Sequence, residues 1–303
     1  MNLRSFFKQA NLLAAAGFPA LPADLSRKER IHIGAQTNAF GVPTKPFSRL
    51  LEVAGVLGQL GYQGFETNLA SIEEGASQPA KCRRAFEARH IQLIAAFSGG
   101  MLDNKEAARQ TIERNRRVAG YTAAMGASFL VFNGPGFRHH GGREDMTRVH
   151  YAMAGLNRLG EVVQKEGLKL AIHNEWQPMA GHPPAESFVL KDTDPKLVWL
   201  CFDVGNPYGH VPNWDPVAFS REHFRRIAIY HLKDVARNAQ GQLATVPFGT
   251  GKINLKGVVA PLLDSNWEGW LTVEEEGIWP RGLKHPKKVM GECRQYLRKV
   301  VGV

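Results

Sequence analysis

From Ile31 onward the chain alternates short apolar runs with longer amphipathic stretches. In the longer stretches, leucine, valine and alanine recur at spacings of three and four, which is the period of a helix with one buried face. This pattern predicts helices over residues 47–60, 105–126, 148–167 and 254–265. Helices that cover a sheet on both sides allow the strands between them to be apolar on both faces.

The short apolar runs predict eight strands, at residues 31–35, 64–67, 92–97, 129–132, 169–173, 197–202, 227–231 and 270–274. Eight βα units over roughly 270 residues match the size of a (β/α)8 barrel better than that of an open doubly wound sheet. No change in composition marks a second domain, and no GxGxxG follows the first strand to indicate dinucleotide binding. We therefore predict an α/β protein with one (β/α)8 TIM barrel over residues 31–303.

Residues 1–23 have the layout of an export signal, with a basic head at Arg4 and Lys8 and an apolar stretch over residues 12–21. The head resembles a degenerate twin-arginine signal in which Leu3 stands in place of the first arginine. A functional signal would make the protein periplasmic, and otherwise we expect it to be cytoplasmic. The alternative is an amphipathic helix that packs on the outside of the barrel.

The composition narrows the choice of partner. Lysine and arginine number 38 against 28 acidic residues, but these basic residues are scattered, so no nucleic acid partner is expected. The three cysteines are far apart and form no CxxC pair, which indicates free thiols. No apolar run after the first twenty residues reaches the roughly 20 residues that cross a bilayer. We expect a small-molecule substrate and no membrane partner after signal removal, and a homo-oligomer is compatible with the sequence.

Four consecutive strands end on side chains that bind metals. These are His173 after strand five, Asp203 after strand six, His231 after strand seven and Glu274 after strand eight. The separations of 30 and 28 residues between the first three are close to one βα unit, so the side chains should converge at the carboxyl end of the barrel. Imidazoles and carboxylates without a thiolate suit Mn²⁺ or Mg²⁺, and Co²⁺ or a catalytic Zn²⁺ is also compatible.

Four segments carry a family resemblance: HLKD at 231–234, DVGN at 203–206, GTGKIN at 249–254 and GWLTVE at 269–274. With them the chain resembles the sugar phosphate isomerase/epimerase family, the xylose-isomerase-like TIM barrels. The resemblance implies one divalent cation held by Glu, Asp, His and Glu from strands five to eight, and Asp203, His231 and Glu274 match directly.

Strand five departs from the family pattern, because His173 stands where many relatives have glutamate and Glu175 follows two residues later. Positions i and i+2 of a strand face the same way, so either side chain could reach the cation. We favour His173 as the ligand and Glu175 for proton transfer.

These features predict a metal-dependent isomerase or epimerase that acts on a ketose or keto-sugar through an ene-diolate. Glu175 and Glu66 are the candidate bases, and Glu274 could serve as both ligand and base, as the resemblance implies. Three alternatives remain. They are a lyase or dehydratase acting on a keto-sugar or polyol, a phosphodiesterase like endonuclease IV, and a sugar-binding protein without catalytic activity.

Further side chains are predicted to contact the substrate, with structural roles as the alternative. They are Asn206, His210 and Trp176, together with Asn38, Asn133 and Phe97 on other strand ends. Lys233 is predicted either to bind substrate or to form an ion pair with Asp234 at the mouth of the barrel.

Overall fold

The computed structural model describes residues 27–134, 136–137, 145–175, 185–238, 241–277 and 281–302. The predicted export signal and Trp176 lie outside these residues. Eight parallel strands close into a barrel, and helices surround it. The predicted (β/α)8 barrel is therefore confirmed.

The barrel strands lie close to the predicted positions. They are β1 (Ile31–Gln36), β2 (Gly64–Asn68), β3 (Gln92–Gly99), β4 (Phe129–Asn133), β5 (Lys169–His173), β6 (Val198–Asp203), β7 (Ile227–Leu232) and β10 (Gly269–Val273). Their order around the barrel is β1-β10-β7-β6-β5-β4-β3-β2. Between β7 and β10 the chain adds an antiparallel hairpin of two short strands, β8 (Val235–Arg237) and β9 (Leu243–Thr245). The hairpin has no counterpart in the sequence prediction.

The helices pack around the barrel. They are α1 (Arg27–Arg30), α2 (Phe47–Gln59), α3 (Leu69–Ile72), α4 (Pro79–Glu87), α5 (Lys105–Ala124), α6 (Met146–Lys165), α7 (Ala185–Asp192), α8 (Pro216–His223), α9 (Leu255–Leu263) and α10 (Pro286–Val301). Short 3₁₀ turns cover Thr37–Phe40, Glu73–Gly75 and Phe224–Arg226. The four predicted helices are present as α2, α5, α6 and α9, and each end lies within two residues of its predicted position.

Side-chain caps explain where three of the main helices begin. The Asn104 side chain accepts a hydrogen bond from the first turn of α5, Asp145 does the same for α6, and Asn254 for α9. Each cap satisfies a backbone N–H that the helix itself leaves without a partner. The caps hold the helix starts at the same end of the barrel as the polar strand ends.

The barrel interior changes from apolar to polar along the strands. Ala171, Cys201, Ile229 and Trp270 belong to one buried apolar cluster. Because side chains two residues apart on a strand share a face, the polar residues further along β5, β6, β7 and β10 lie one layer above this cluster. The lower interior thus forms a packed apolar floor beneath the carboxyl ends of the strands.

Asp234 anchors the loop that contains the GTGKIN segment. Its carboxylate accepts hydrogen bonds from the backbone N–H groups of Gly249 and Gly251, both at 2.9 Å. A side chain at Gly251 would collide with this carboxylate, so the second glycine of the segment is required by close packing. Of the two alternatives predicted for Lys233, the ion pair with Asp234 is wrong, because Asp234 faces this loop while Lys233 pairs with Asp203.

Two further sequence predictions concern the described residues. All three cysteines are free thiols, as predicted, and the structure shows that Cys82, Cys201 and Cys293 are buried. Among the residues that the structure describes, no helix combines the length and apolarity needed to cross a lipid bilayer.

Candidate metal centre

The carboxyl ends of four neighbouring strands bring four ligand-type side chains together. They are His173 on β5, Asp203 on β6, His231 on β7 and Glu274, which follows β10. All four are buried, and each offers one nitrogen or oxygen atom that lies within 4.8 Å of the others. We call these four residues the ligand cluster. The parallel register pairs Asp203 directly with His231. Glu274 lies two residues beyond Thr272, the register partner of His231 on β10.

The cluster is suited to a divalent ion. His231 Nδ1 lies 2.8 Å from Glu274 Oε2, and His173 Nε2 lies 3.7 Å from Asp203 Oδ2. None of these atoms makes a well-aligned hydrogen bond within the described residues, although all are buried. Buried polar atoms rarely remain without a partner, and converging imidazole and carboxylate lone pairs form a typical donor set for a divalent metal.

Lys233 supplies a positive charge beside the cluster. Its Nζ lies 3.0 Å from Asp203 Oδ2, 3.3 Å from Glu276 Oε2 and 3.6 Å from Glu274 Oε2, and its side chain is only 4% exposed. Burial disfavours the ammonium, but the facing carboxylates outweigh burial and raise the pKa of Lys233 well above its usual value. The lysine therefore stays charged at neutral pH.

The pKa values of the two carboxylates in the ligand cluster shift in the opposite direction to that of Lys233. Burial alone would raise the pKa values of Asp203 and Glu274, yet Lys233 and His231 lower both, and His173 also lowers the pKa of Asp203. The pKa of Glu274 falls to about 2, and that of Asp203 is also well below its usual value. Both groups are therefore ionised acceptors at neutral pH.

The histidines bind protons tightly when no metal competes. Burial disfavours the charged form of His173, but Asp203 and Glu175 outweigh it and raise the pKa of His173 to about 9. For His231 burial also acts against the charge, while Cys201, Glu66 and Glu274 raise its pKa well above the usual value. A metal ion must therefore displace protons from these rings.

Glu175 lies beside the ligand cluster and outside it. Its Oε1 is 3.4 Å from His173 Nδ1, and its Oε2 accepts a hydrogen bond of 3.0 Å from Asn206 Nδ2. The Glu175 side chain is 30% exposed and lines the cavity above the cluster. His173 thus turns one ring nitrogen to Asp203 and the other to Glu175, a geometry in keeping with the two roles predicted for strand five.

Glu66 lies beneath the cluster and does not line the cavity. It is completely buried, accepts a hydrogen bond of 2.8 Å from Gln36 Nε2, and places Oε2 3.0 Å from His231 Nε2. Its role as a base stays a prediction. The sequence analysis did not find Gln36, although it ends β1 and is the register partner of Glu66 on β2.

The cluster opens into a cavity of about 580 Å³. The cavity is rich in amide and hydroxyl groups, which come from Gln36, Asn38, Asn68, Ser98, Asn133 and Asn206. Asn38 Nδ2 also donates to Glu274 Oε1 at 3.0 Å, and the Phe97 ring meets the His173 ring edge-on at 5.2 Å. Such a lining suits a ligand with many hydroxyl groups.

Only some of the remaining side chains that were predicted to contact substrate line the cavity. Asn206 and Lys233 line the cavity, whereas His210 is exposed and does not line it. Trp176 lies outside the described residues. Six lining residues with polar or charged side chains escaped the sequence analysis: Gln36, Asn68, Glu73, Ser98, Arg114 and Glu276. Asn68 could have been predicted from the sequence because it ends β2. Arg114 lies on α5, and no feature of the sequence indicates that it reaches the cavity.

A closed parallel barrel with a buried imidazole and carboxylate cluster at its carboxyl end defines the class of (β/α)8 enzymes with a metal site. The chain belongs to the xylose isomerase-like TIM barrel family, whose model matches residues 56–300. The family resemblance seen in the sequence is therefore confirmed.

Curated relatives include inosose dehydratases. The protein of Salmonella typhimurium strain LT2 is 35% identical over 138 residues, which are 40% of this chain and 44% of that protein. The match thus spans less than half of that relative. The inosose dehydratase of Geobacillus kaustophilus is 25% identical over 277 residues, covering 82% of this chain and 87% of its own.

Solved structures show the same fold. A xylose isomerase-like TIM barrel protein from Mycobacterium smegmatis, in complex with magnesium, has a TM-score of 0.68 and 17% identity, covering 92% of this chain and 98% of its own. The IOLI protein with a bound zinc atom has a TM-score of 0.69 and 15% identity, covering 89% and 98%. At these identities the likeness concerns the fold alone.

We expect Asp203→Asn to abolish most metal binding without unfolding the protein. The amide keeps the acceptor that Asp203 Oδ1 offers to the N–H groups of Gly205 and Asn206, both at 2.8 Å, but removes the ionised oxygen beside His173. Metal content per chain after dialysis against Mn²⁺ or Zn²⁺ measures the loss.

The matched control is Glu275→Gln, since Glu275 is buried on the other side of β10 with its Oε1 3.7 Å from Cys293 Sγ. It should keep wild-type metal content. Equal occupancy in wild type and Asp203→Asn would contradict the assignment of Asp203.

Metal affinity should rise with pH up to about pH 9. Below that pH the metal-free protein holds a proton on His173 that the ion must displace, and His231 behaves in the same way. Each displaced proton contributes about tenfold in affinity per pH unit. Competition titrations with a chelator of known pH dependence, between about pH 7 and 9, measure the slope. An affinity that stays constant over this interval would contradict ligation by these imidazoles.

Proposed function

We propose that this protein is a divalent-metal-dependent lyase that removes water from a keto-polyol or keto-sugar. The observation that carries the proposal is the ligand cluster, which opens into a hydroxyl-binding cavity with the carboxylate of Glu175 at its side. Isomerisation or epimerisation of a keto-sugar is the second candidate, because it begins with the same proton removal.

His173, Asp203, His231 and Glu274 would hold the ion. A divalent ion in this place supplies a Lewis acid that draws electron density from a carbonyl oxygen. Two imidazoles and two carboxylates favour Mn²⁺, Co²⁺ or Zn²⁺ over the Mg²⁺ that we also expected from the sequence, because Mg²⁺ prefers a shell of oxygen ligands.

The relatives support dehydration over isomerisation. Both curated relatives compared above are inosose dehydratases. One is matched over less than half of its length and the other over most of it. An inosose is a cyclic polyol with one ketone, so its hydroxyl groups would find partners among the amide side chains of the cavity. Asn38, Asn133 and Asn206 stand at three different strand ends and could contact hydroxyls around such a ring.

Glu175 is suited to move the proton. Its carboxylate takes the proton from the carbon next to the carbonyl, and the electrons of the broken C–H bond form the C=C bond of an enolate. The charged Lys233 lies beside the cluster and stabilises the developing negative charge. The enolate then expels the hydroxyl on the next carbon. Glu175 returns its proton to that oxygen, so that one water leaves and the carboxylate is regenerated.

The same residues could carry out isomerisation or epimerisation. Return of the proton to carbon, instead of loss of the hydroxyl, would give an isomer or an epimer. Glu274 is a second carboxylate at the cavity and could handle a proton from another direction. The two reactions share the base and differ in the fate of the neighbouring hydroxyl.

Incubation of the metal-loaded protein with a panel of inososes, ketoses and sugar acids separates these functions. We expect at least one keto-polyol or keto-sugar to yield a product lighter by one water, detected by mass spectrometry. A product of unchanged mass with altered chromatographic mobility would favour isomerisation or epimerisation. Hydrolysis of a phosphodiester, with every keto compound unchanged, would contradict both candidates.

Glu175→Gln should keep the metal and lose turnover by about 100-fold or more, because the amide preserves size but cannot accept the proton. Metal content and the rate with the substrate found in the panel are measured on the same preparation. Glu161→Gln, an exposed carboxylate on α6, serves as the control and should match wild type. Loss of metal from Glu175→Gln would instead assign Glu175 to the ligand cluster.

A further inference from the structure

A chain of hydrogen bonds runs beneath the ligand cluster from the backbone to His231. The backbone N–H of Thr37 donates to Gln36 Oε1 at 2.9 Å, and Gln36 Nε2 donates to Glu66 Oε1 at 2.8 Å. Glu66 Oε2 then lies 3.0 Å from His231 Nε2. All four residues are buried, and none of these contacts takes part in the proton transfer assigned to Glu175.

The backbone N–H of Thr37 fixes which atoms donate and which accept along this series of hydrogen bonds. A backbone N–H can only donate, so the atom of Gln36 that faces it must be the carbonyl oxygen. The amide nitrogen of Gln36 is therefore turned to Glu66. With its other oxygen, the Glu66 carboxylate accepts from the ring of His231, which therefore carries a proton on Nε2. In a neutral ring this leaves the lone pair on Nδ1, the atom that lies 2.8 Å from Glu274 in the cluster.

We propose that Glu66, held by Gln36, is a positioning residue that selects the metal-binding tautomer of His231. The inference rests on the proposed metal site. It gives Glu66 a role through His231 instead of the role of a base, in keeping with its complete burial and its absence from the cavity lining. A carboxylate that accepts the second N–H of a metal-bound histidine fixes the ring and increases its basicity.

An amide at position 66 would reverse the tautomer. In Glu66→Gln the oxygen of the substituted side chain must face the amide nitrogen of Gln36, whose own orientation is fixed by Thr37. The NH₂ group of the substituted side chain then points at His231 Nε2, which must accept. The ring proton moves to Nδ1, where it can donate to Glu274 but excludes a metal.

Exchanging the two side chains should restore the tautomer. In Gln36→Glu/Glu66→Gln the carboxylate at position 36 accepts from the Thr37 N–H and from the amide nitrogen at position 66. The amide oxygen at position 66 then faces His231 Nε2, so that the ring again carries its proton there. The double variant has the same composition and charge as wild type.

The test measures zinc dissociation constants by competition with a chromophoric chelator, together with thermal unfolding of each metal-free protein. We expect Glu66→Gln to fold and to bind zinc about 10- to 100-fold more weakly than wild type, the range typical for loss of such a partner. The double variant should recover most of the affinity. In zinc-loaded, histidine-¹⁵N-labelled wild type and double variant, the proton of His231 should appear on Nε2.

Wild-type affinity in Glu66→Gln, or no recovery in a folded double variant, would overturn the role of Glu66 and leave the proposed metal site standing. A wild type that binds no metal would overturn both. Glu66, Cys201 and His231 also offer ligand atoms within 4.8 Å of one another. Two zinc ions per wild-type chain, with one lost in Cys201→Ala, would show that Nε2 is itself a ligand and would overturn the tautomer assignment.

Discussion

Charge compensation at the carboxyl end of the barrel governs the architecture of the site. Asp203 and Glu274 are ionised although they are buried, and a buried carboxylate is stable only beside positive charge. Lys233 and the protons on His173 and His231 provide that charge when no metal is bound. A divalent ion would take the place of the protons, while Lys233 remains paired with Glu276. The ligand cluster therefore depends on positive charge both with and without a metal.

The barrel makes this arrangement rigid. A packed apolar layer that includes Ala171, Cys201 and Ile229 lies beneath the cluster and fixes the strands that carry the ligands. The hydrogen bonds from Thr37 to His231 then connect β1, β2 and β7 across the interior. Because β7 faces β1 and β2 only in the closed barrel, the orientation of His231 depends on closure of the whole sheet. Fold and ligand geometry are thus set by the same contacts.

Dehydration and isomerisation of a keto-sugar can share their first step. In each case a base removes the proton next to a carbonyl, and a positive centre stabilises the enolate. The fate of the enolate depends on whether a hydroxyl on the next carbon is aligned to leave. Asn38 and Asn206 line the cavity beside the ligand cluster, where their amide groups could contact such a hydroxyl.

The sequence by itself determined the eight βα units, because the periods of buried residues in helices and strands are local and are read directly from the chain. It also identified the four residues of the ligand cluster, since the carboxyl ends of parallel strands must meet. Only the tertiary structure decided the contacts between residues distant in the sequence. Lys233 pairs with Asp203 and not with Asp234, and Glu66 faces His231, 165 residues away. Such pairings depend on barrel closure and side-chain direction, which no local pattern encodes.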